Sequence, residues 1–328
     1  MPPLETPISA DAPAQTGRSA RKRMLLIVNP LASTVTERLQ HLVQYALAGA
    51  FELESIHTDH QGHATELARQ AAAERLDAVV VFSGDGTINE AAIGLHGSAT
   101  ALTCLPGGSG NVYNKILGLP TDVIDATERL LRRADDWRTR SVLTGIVNGR
   151  RFLFSAGFGL DAAVVGYVDS HPRLKHRFNE RYFAYSAFRV YLTRYLADPP
   201  TLETTWPGCS EPLHGVTTLV QKGDPYTYFG ELPLRAADGV ALDEPVFAGM
   251  SLRTVRPTVV PGVAWRLFSK THALTDHRQI DGFSGQSEIF VRSTDERPVH
   301  LMVDGDQIGQ FTEARFTVDV ETPLLVLA

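Results

Sequence analysis

From Met24 to about Arg140, apolar runs alternate with amphipathic stretches. The runs Met24–Val28, Phe51–His57, Ala78–Phe82 and Thr100–Leu105 predict strands. The stretches Thr36–Ala48, Ala64–Arg75, Asn89–His96, Val112–Leu117 and Thr121–Arg133 predict helices. Such alternation predicts a parallel sheet with helices on its faces. Right-handed crossovers then put the loops at Asn29, Thr58, Gly84 and Gly107 along one sheet edge. After Arg140 the pattern changes to short strand-like runs: Ser141–Val147, Arg151–Ala156, Gly215–Gln221, Glu244–Ala248, Glu288–Ser293, His300–Val303 and Ala314–Val320. Turn residues punctuate them, which predicts an antiparallel β-rich sandwich. A long helix around Arg181–Leu196 interrupts it. The boundaries expected are a disordered tail at 1–22, an α/β domain at 23–140 and a β-rich domain at 141–311. Residues from about 312 to 328 are free to return to the first domain.

Three of the predicted strands end in turns suited to phosphate. Ala78–Val81 runs into Phe82-Ser83-Gly84-Asp85-Gly86-Thr87-Ile88-Asn89-Glu90. Glycines remove the side chains that would block a close approach, and open α/β sheets bind nucleotides at the carboxyl ends of their strands. Asp85 could hold Mg²⁺, and Thr87 could donate to a phosphate oxygen. Leu105-Pro106-Gly107-Gly108-Ser109-Gly110-Asn111 follows the next strand, and successive N–H groups in such a turn form a concave anion site. Met24–Val28 ends at Asn29-Pro30. Asn29 and Asn89 could bond phosphate or adenosine groups, whereas Glu90 could cap or orient its turn. Ordinary strand-to-helix turns remain the competing reading for each. No Gly-x-x-x-x-Gly-Lys-[Ser/Thr] sequence is present, which excludes the standard P-loop. Gly157-Phe158-Gly159-Leu160-Asp161-Ala162 fits a short dinucleotide pattern, but its β-rich surroundings argue against that use.

Composition narrows the classes. The 328 residues suffice for two ordinary domains, and a net charge of −6 gives no sign of a nucleic-acid binder. Cys104 and Cys209 lack metal-ligand spacing, which fits a reduced cytoplasmic compartment. No apolar run reaches membrane-spanning length, and the first residues lack a signal-peptide core. His171–Arg194 interleaves Arg173, Lys175, Arg177, Arg181, Arg189 and Arg194 with Tyr182, Phe183, Tyr185, Phe188, Tyr191, Leu192 and Tyr195. That mixture suits an anionic membrane surface, although a core-packed helix with a solvated face gives the same pattern.

Asn29-Pro30, Gly84–Glu90 and Pro106–Asn111, taken in order, resemble the catalytic-domain signature of the diacylglycerol kinase family, which includes soluble bacterial lipid kinases and sphingosine kinases. Gly157–Ala162, the stretch from Leu174-Lys175 to Tyr185, and Val303-Asp304-Gly305-Asp306 resemble its later motifs, so the likeness spans roughly residues 24 to 320. It implies an ATP-dependent transfer of the γ-phosphoryl group to a lipid hydroxyl, diacylglycerol or sphingoid-like, with Mg²⁺. The nucleotide site it implies comprises Asn29, Pro30, Thr58, Gly84, Asp85, Gly86, Thr87, Ile88, Asn89, Glu90, Gly107, Gly108 and Ser109. Asp161 would shape the acceptor site, although capping the next helix is an equal reading of it.

Asp304-Gly305-Asp306 lies between two apolar strands and reads as a hairpin turn. The resemblance implies that its last carboxylate, Asp306, is the general base, with Asp304 as the fallback. The family carries Glu at this position. Asp is one methylene shorter, so the loop must sit closer or a water must bridge. Ala237-Asp238-Gly239-Val240-Ala241-Leu242-Asp243 resembles a segment that holds a structural Mg²⁺ in some bacterial members, which makes Asp238 and Asp243 metal candidates beside Asp85. A hairpin with two solvated acids is the alternative. The resemblance further implies a lipid partner met at a membrane surface, cytoplasmic or peripheral at the inner membrane. A homodimer is compatible with it. An NAD kinase-like or sugar kinase acting on a soluble hydroxyl, and a non-catalytic nucleotide-binding regulator, are the competing functions.

Overall fold

The computed structural model describes residues 21–269 and 271–327. The tail expected at 1–22 thus lies outside the described residues up to residue 20. The first half contains β1 (Arg23–Val28), α1 (Glu37–Ala50), β2 (Glu52–His57), α2 (His63–Ala73), β3 (Ala78–Ser83), α3 (Asp85–Leu95), β4 (Ala101–Pro106), α4 (Val112–Ile116) and α5 (Val123–Arg132). The strands pair in parallel in the order β2-β1-β3-β4. Side chains alternate across the sheet. Leu25, Ile27, Val79, Val81 and Leu102 pack with residues of α2 and α3, while Leu26, Val28, Val80 and Phe82 pack with residues of α1 and α5. Burial on both faces explains why these strands read as continuous apolar runs. Each such side chain, fully buried, contributes about 1.5–3 kcal/mol.

The second half contains β5 (Thr139–Val147), β6 (Arg150–Phe152), β7 (Ser155–Phe158), α6 (Leu160–Asp169) and α7 (Pro172–Val190), which continues into a π turn at Tyr191–Tyr195. Then come β8 (Leu202–Thr205), β9 (Leu213–Gly215), β10 (Thr217–Gln221), β11 (Thr227–Phe229), β12 (Leu232–Leu234), β13 (Phe247–Leu252), α8 (Val260–Leu267), β14 (Ile280–Gln286), β15 (Glu288–Ser293), β16 (Val299–Val303), β17 (Asp306–Phe311) and β18 (Glu313–Leu327). An antiparallel sheet in the order β14-β13-β10-β7-β16-β17 faces the part of the first sheet formed by β5, β6, β8, β15 and β18. Phe158, Val220, Phe247 and Leu301 from one sheet meet Phe152, Ile289, Val291 and Phe316 from the other in a shared core. The fold is an α/β domain with a mostly parallel sheet, followed by an antiparallel β-rich one.

β18 joins the two halves. It pairs with β15 and β5 and reaches β4 in parallel at Val326 opposite Leu102. Its pairing with β5 shifts register between Asp319 and Leu324. Pro323, which has no N–H to donate, lies inside that shift. One sheet therefore runs from the α/β domain into the β domain, which holds the carboxyl edge of β1–β4 against the second half of the chain.

Candidate active site

The ends of β1–β4 lie side by side. Asn29 N–H donates to Phe82 O at 3.4 Å, Thr58 N–H to Val28 O at 2.9 Å, and Gly107 N–H to Ser83 O at 3.0 Å. The two glycine-rich turns are packed backbone to backbone. A Cβ on Gly108 would lie 2.7 Å from Gly84 Cα, and one on Gly107 would lie 2.8 Å from Ser83 Cα and from Val35 Cγ2. These glycines are required by that contact before any ligand is considered. Gly107→Ala is accordingly predicted to destabilise the fold by about 1–3 kcal/mol, read as a lowered urea midpoint. Gly110→Ala, whose Cβ meets nothing nearer than 3.5 Å, should leave that midpoint within the range of a surface substitution.

The helix after the first turn begins at Asp85, not at the expected Asn89. Gly84 is its N-cap and makes no side-chain cap bond. The opening N–H groups, those of Gly86 and Thr87, are therefore left over by the helix ladder at the sheet's carboxyl edge. Such a helix start attracts anions. Thr87 Oγ1 accepts from Ser83 Oγ at 2.9 Å and from Asn29 Nδ2 at 3.3 Å. A hydroxyl that accepts twice still has its own proton to donate. In the second turn the N–H of Gly108 is not available, because it donates to Asn111 Oδ1 at 2.8 Å while Asn111 Nδ2 returns a bond to Gly108 O at 2.7 Å. Ser109 is exposed at the tip, and its N–H meets no acceptor among the described residues.

Several motif residues have other partners than their place in the motif suggests. The two carboxylate oxygens of Asp85 accept the N–H groups of Val112 and Tyr113, each at 2.9 Å. Asp85 thereby caps α4 and ties the two turns together. Burial pushes its carboxyl upward, against those hydrogen bonds. Ile88 is fully buried in the core, so its side chain is no ligand. Asn89 is 2 % exposed and turns inward, with Nδ2 donating to Asp304 Oδ2 at 2.7 Å. Glu90 Oε1 accepts the N–H of Gly62 at 2.9 Å, at the start of α2. Pro30 is exposed beside Asn29, and Thr58 is half-buried.

The β16–β17 hairpin brings two carboxylates to this edge. Asp304 and Gly305 have φ of 48° and 86°, as a two-residue hairpin with both central residues left-handed demands. Asp304 points inward. It is 5 % exposed, and its oxygens accept the N–H groups of Leu153, Phe154 and Ser155 at 2.7–3.1 Å besides Asn89 Nδ2. The fallback base is thus a buried latch between the β domain and α3. Asp306 is exposed and lies on the phosphate turn: a Cβ on Gly86 would sit 3.1 Å from its Oδ2. A chain separation of more than 200 residues closes at this point.

Asp161 lies at the start of α6. It accepts from Tyr226 Oη at 2.5 Å and Thr217 Oγ1 at 3.3 Å, and burial pushes its carboxyl up to about 6. Asp238 and Asp243 are exposed, and among the described residues they join no group of three His, Cys, Asp or Glu ligand atoms. Among the described residues the group of three His, Cys, Asp or Glu ligand atoms within 4.8 Å is Asp59, His60 and His63. The reason is visible in the loop itself. Lys222, fully buried, sends its ammonium to Ala241 O at 3.2 Å and Leu242 O at 3.0 Å. Burial lowers the Lys222 ammonium to about 8, and while it holds its proton it supplies a cation to the carbonyls between the two acids. Each Asp85 oxygen accepts one N–H donor and keeps a further lone-pair site, so its hydrogen bonds leave the expected Mg²⁺ role open.

Lys115 of α4 carried no signal in its motif. Its ammonium donates to Gly230 O at 2.9 Å, pairs with Glu231 at 3.1 Å and lies 4.7 Å from the Tyr228 ring centre, so it ties the β11–β12 hairpin to α4. On α7, its π turn and the residue after it, Phe183, Tyr185, Phe188, Leu192 and Leu196 are exposed, while Tyr182, Tyr191 and Tyr195 are buried. The side chains of Arg173, Lys175 and Arg177 lie outside the described residues. No described helix is long and apolar enough to cross a membrane.

Residues 23–139 match the family described as Diacylglycerol kinase catalytic domain. The chain is 30% identical over 143 residues to the "Diacylglycerol kinase" of Bacillus subtilis (strain 168), covering 42% of this chain and 46% of that protein. It is 31% identical over 144 residues to the "Diacylglycerol kinase" of Staphylococcus carnosus (strain TM300), covering 42% and 45%. The matched segment thus spans about half the length of these curated relatives. A solved diacylglycerol kinase structure from Bacillus anthracis str. Sterne superposes with a TM-score of 0.69 at 20% identity, over 94% of this chain and 98% of that one.

Proposed function

We propose, on the premise that this chain belongs to the diacylglycerol kinase catalytic-domain family, that it transfers the γ-phosphoryl group of ATP to the hydroxyl of a lipid of the diacylglycerol or sphingoid class. The observation that carries this reading is the position of Asp306, an exposed carboxylate of the second domain set against Gly86 of the phosphate turn. Phosphoryl transfer requires alignment, charge stabilisation and a base oriented toward the attacking hydroxyl.

The parts are assigned as follows. The N–H groups of Gly86 and Thr87 and the spare proton of Thr87 Oγ1 hold phosphate oxygens. Asn29, Pro30, Thr58 and the tip of the second turn, Gly107–Ser109, line the rest of the nucleotide. Asp85 acts through structure, because it keeps the two turns in register. Asp306 accepts the proton of the lipid hydroxyl as that oxygen attacks the γ-phosphorus, and ADP leaves in line. Asp161, poised near neutrality beside Tyr226 and Thr217, orients the acceptor. The exposed apolar face of α7 meets the membrane surface from the cytoplasmic side, where a lipid acceptor must be collected.

The test is incubation with γ-labelled ATP, a divalent cation and a total lipid extract, followed by chloroform partition. Label in the organic phase is the expected outcome. Label confined to the aqueous phase would assign a soluble acceptor instead. Tight ATP binding without turnover on any lipid would make the protein a nucleotide-binding regulator.

A further inference from the structure

The turn between β2 and α2 carries a cluster that the phosphoryl-transfer reading does not use. Asp59, His60 and His63 place one ligand atom each within 4.8 Å of one another. The two imidazoles are stacked, with centroids 4.7 Å apart and planes 9° from parallel. Both rings turn Nδ1 toward the same oxygen: His63 Nδ1 lies 2.8 Å from Asp59 Oδ1, and His60 Nδ1 is in direct contact with it. That contact requires a proton on each Nδ1, or one cation in place of both. His63 Nδ1 also lies 3.3 Å from the Asp59 N–H, a donor that favours a lone pair on that nitrogen. An imidazole cannot offer a proton and a lone pair from the same atom. A cation at this point would take the lone pair of each Nδ1 and the charge of the carboxylate, and the Asp59 N–H would then turn to water in place of His63.

A further carboxylate flanks the cluster. The other nitrogen of His60, Nε2, lies 3.6 Å from Glu66 Oε1. A carboxylate behind a ligating imidazole fixes its orientation and raises its basicity. The backbone is already pinned, with His63 N–H donating to His60 O at 3.3 Å and Gly62 N–H held by Glu90. Asp59 and His60 are largely exposed and His63 is mostly buried, so the cluster is open on one side and anchored on the other. With metal–ligand bonds of about 2.0–2.1 Å, ligand atoms on a tetrahedron sit about 3.3 Å apart. The present separation of 2.8 Å between His63 and Asp59 needs an opening of about 0.5 Å, the closer His60 contact needs more, and the near-parallel rings must rotate for both Nδ1 lone pairs to converge on one cation.

We propose that Asp59, His60 and His63 form a binding site for a late first-row divalent cation, with water completing the coordination. Two imidazoles and one carboxylate select Zn²⁺, Ni²⁺ or Cu²⁺ over Mg²⁺ or Ca²⁺, which take oxygen ligands. The site adjoins Thr58 but does not depend on the kinase assignment.

The experiment titrates the untagged, chelator-stripped full chain with Zn²⁺ alone by calorimetry, and with Co²⁺ by visible absorption. One equivalent is expected, with the intense visible bands of tetrahedral Co²⁺. Asp59→Asn and His60→Gln should each weaken Zn²⁺ binding at least tenfold. His63→Ala should do the same, with metal-free circular dichroism as its folding control. The exposed His60→Gln variant decides the matter should His63→Ala fail to fold. Absence of a one-equivalent phase, or equal Zn²⁺ affinity in wild type and His60→Gln, overturns the proposal.

Discussion

Asp306→Asn is expected to lower kcat for phosphoryl transfer by about 10²–10⁴-fold, the usual contribution of a positioned general base. The variant should bind ATP with nearly wild-type affinity. Asp306 is the first residue of β17, and its exposed side chain faces Gly86 of the phosphate turn from the second domain. An amide there removes a proton acceptor without removing a donor to phosphate or a core contact. A thermal or urea midpoint unchanged from wild type, together with the loss in kcat, separates chemistry from folding. Retention of kcat within threefold would remove Asp306 from the mechanism. Asp306→Glu adds one methylene at a place where even a Cβ on Gly86 would come within 3.1 Å of the carboxylate. The longer side chain must fold back on itself, so its activity should fall between wild type and the amide variant.

With Asp306 as the proposed base, its nearness to Gly86 also bears on the residue type. An aspartate at the position where a longer carboxylate is expected requires a closer loop or a bridging water. The hairpin is close. Its approach follows from Asp304 and Gly305 taking left-handed φ and from Asp304 being held by three consecutive backbone N–H groups of Leu153–Ser155. Those residues lie about 150 positions earlier in the chain, and no local pattern announces them.

The division between legible and hidden runs along this line. β1, β3 and β4 are buried on both faces, so each reads as an unbroken apolar run and emerges within a residue or two of its observed bounds. Gly84, Gly107 and Gly108 are legible because each lacks a Cβ where neighbouring backbone passes. α8 is hidden because Val260-Pro261-Gly262 looks like a turn, although proline at the first turn of a helix is well tolerated. β18 reads as ending at Val320 because Thr322-Pro323 breaks its alternation, yet the strand resumes after a register shift. The start of α3 is missed by four residues because two glycines disguise a helical first turn. Partner choice is harder still. Asn89 looks like a nucleotide ligand and is instead a bond donor to Asp304, 215 positions away. Lys222 resembles any surface lysine, and only its neighbours show that it occupies the loop where a bound cation was expected.

Removing the buried latch should cost more stability than any other single change considered. Asp304 Oδ1 accepts the N–H groups of Phe154 and Ser155, and Oδ2 accepts that of Leu153 and the amide of Asn89. Asp304→Ala leaves four buried donors facing a void. Each unsatisfied donor costs about 1–3 kcal/mol, so the total approaches the whole stability of an ordinary domain. Asp304→Asn is the more informative variant. It keeps one acceptor oxygen but sets an NH₂ group against two donors, a loss of about 2 kcal/mol or more by the same count. Burial pushes the Asp304 carboxyl up to about 7, with the four donors restraining it. The folded chain therefore holds a proton that the unfolded chain releases above its ordinary value of 3.8. The sign follows from linkage: where the folded state binds more protons, stability falls as pH rises. This contribution is complete below the unfolded value and is lost as pH climbs through about 7. Urea midpoints measured from pH 5 to 8 should thus decline more steeply for wild type than for Asp304→Asn, which has no proton to lose. Parallel slopes in the two proteins would show that the latch does not titrate in this window, and an unchanged midpoint in Asp304→Asn would show that it carries no load.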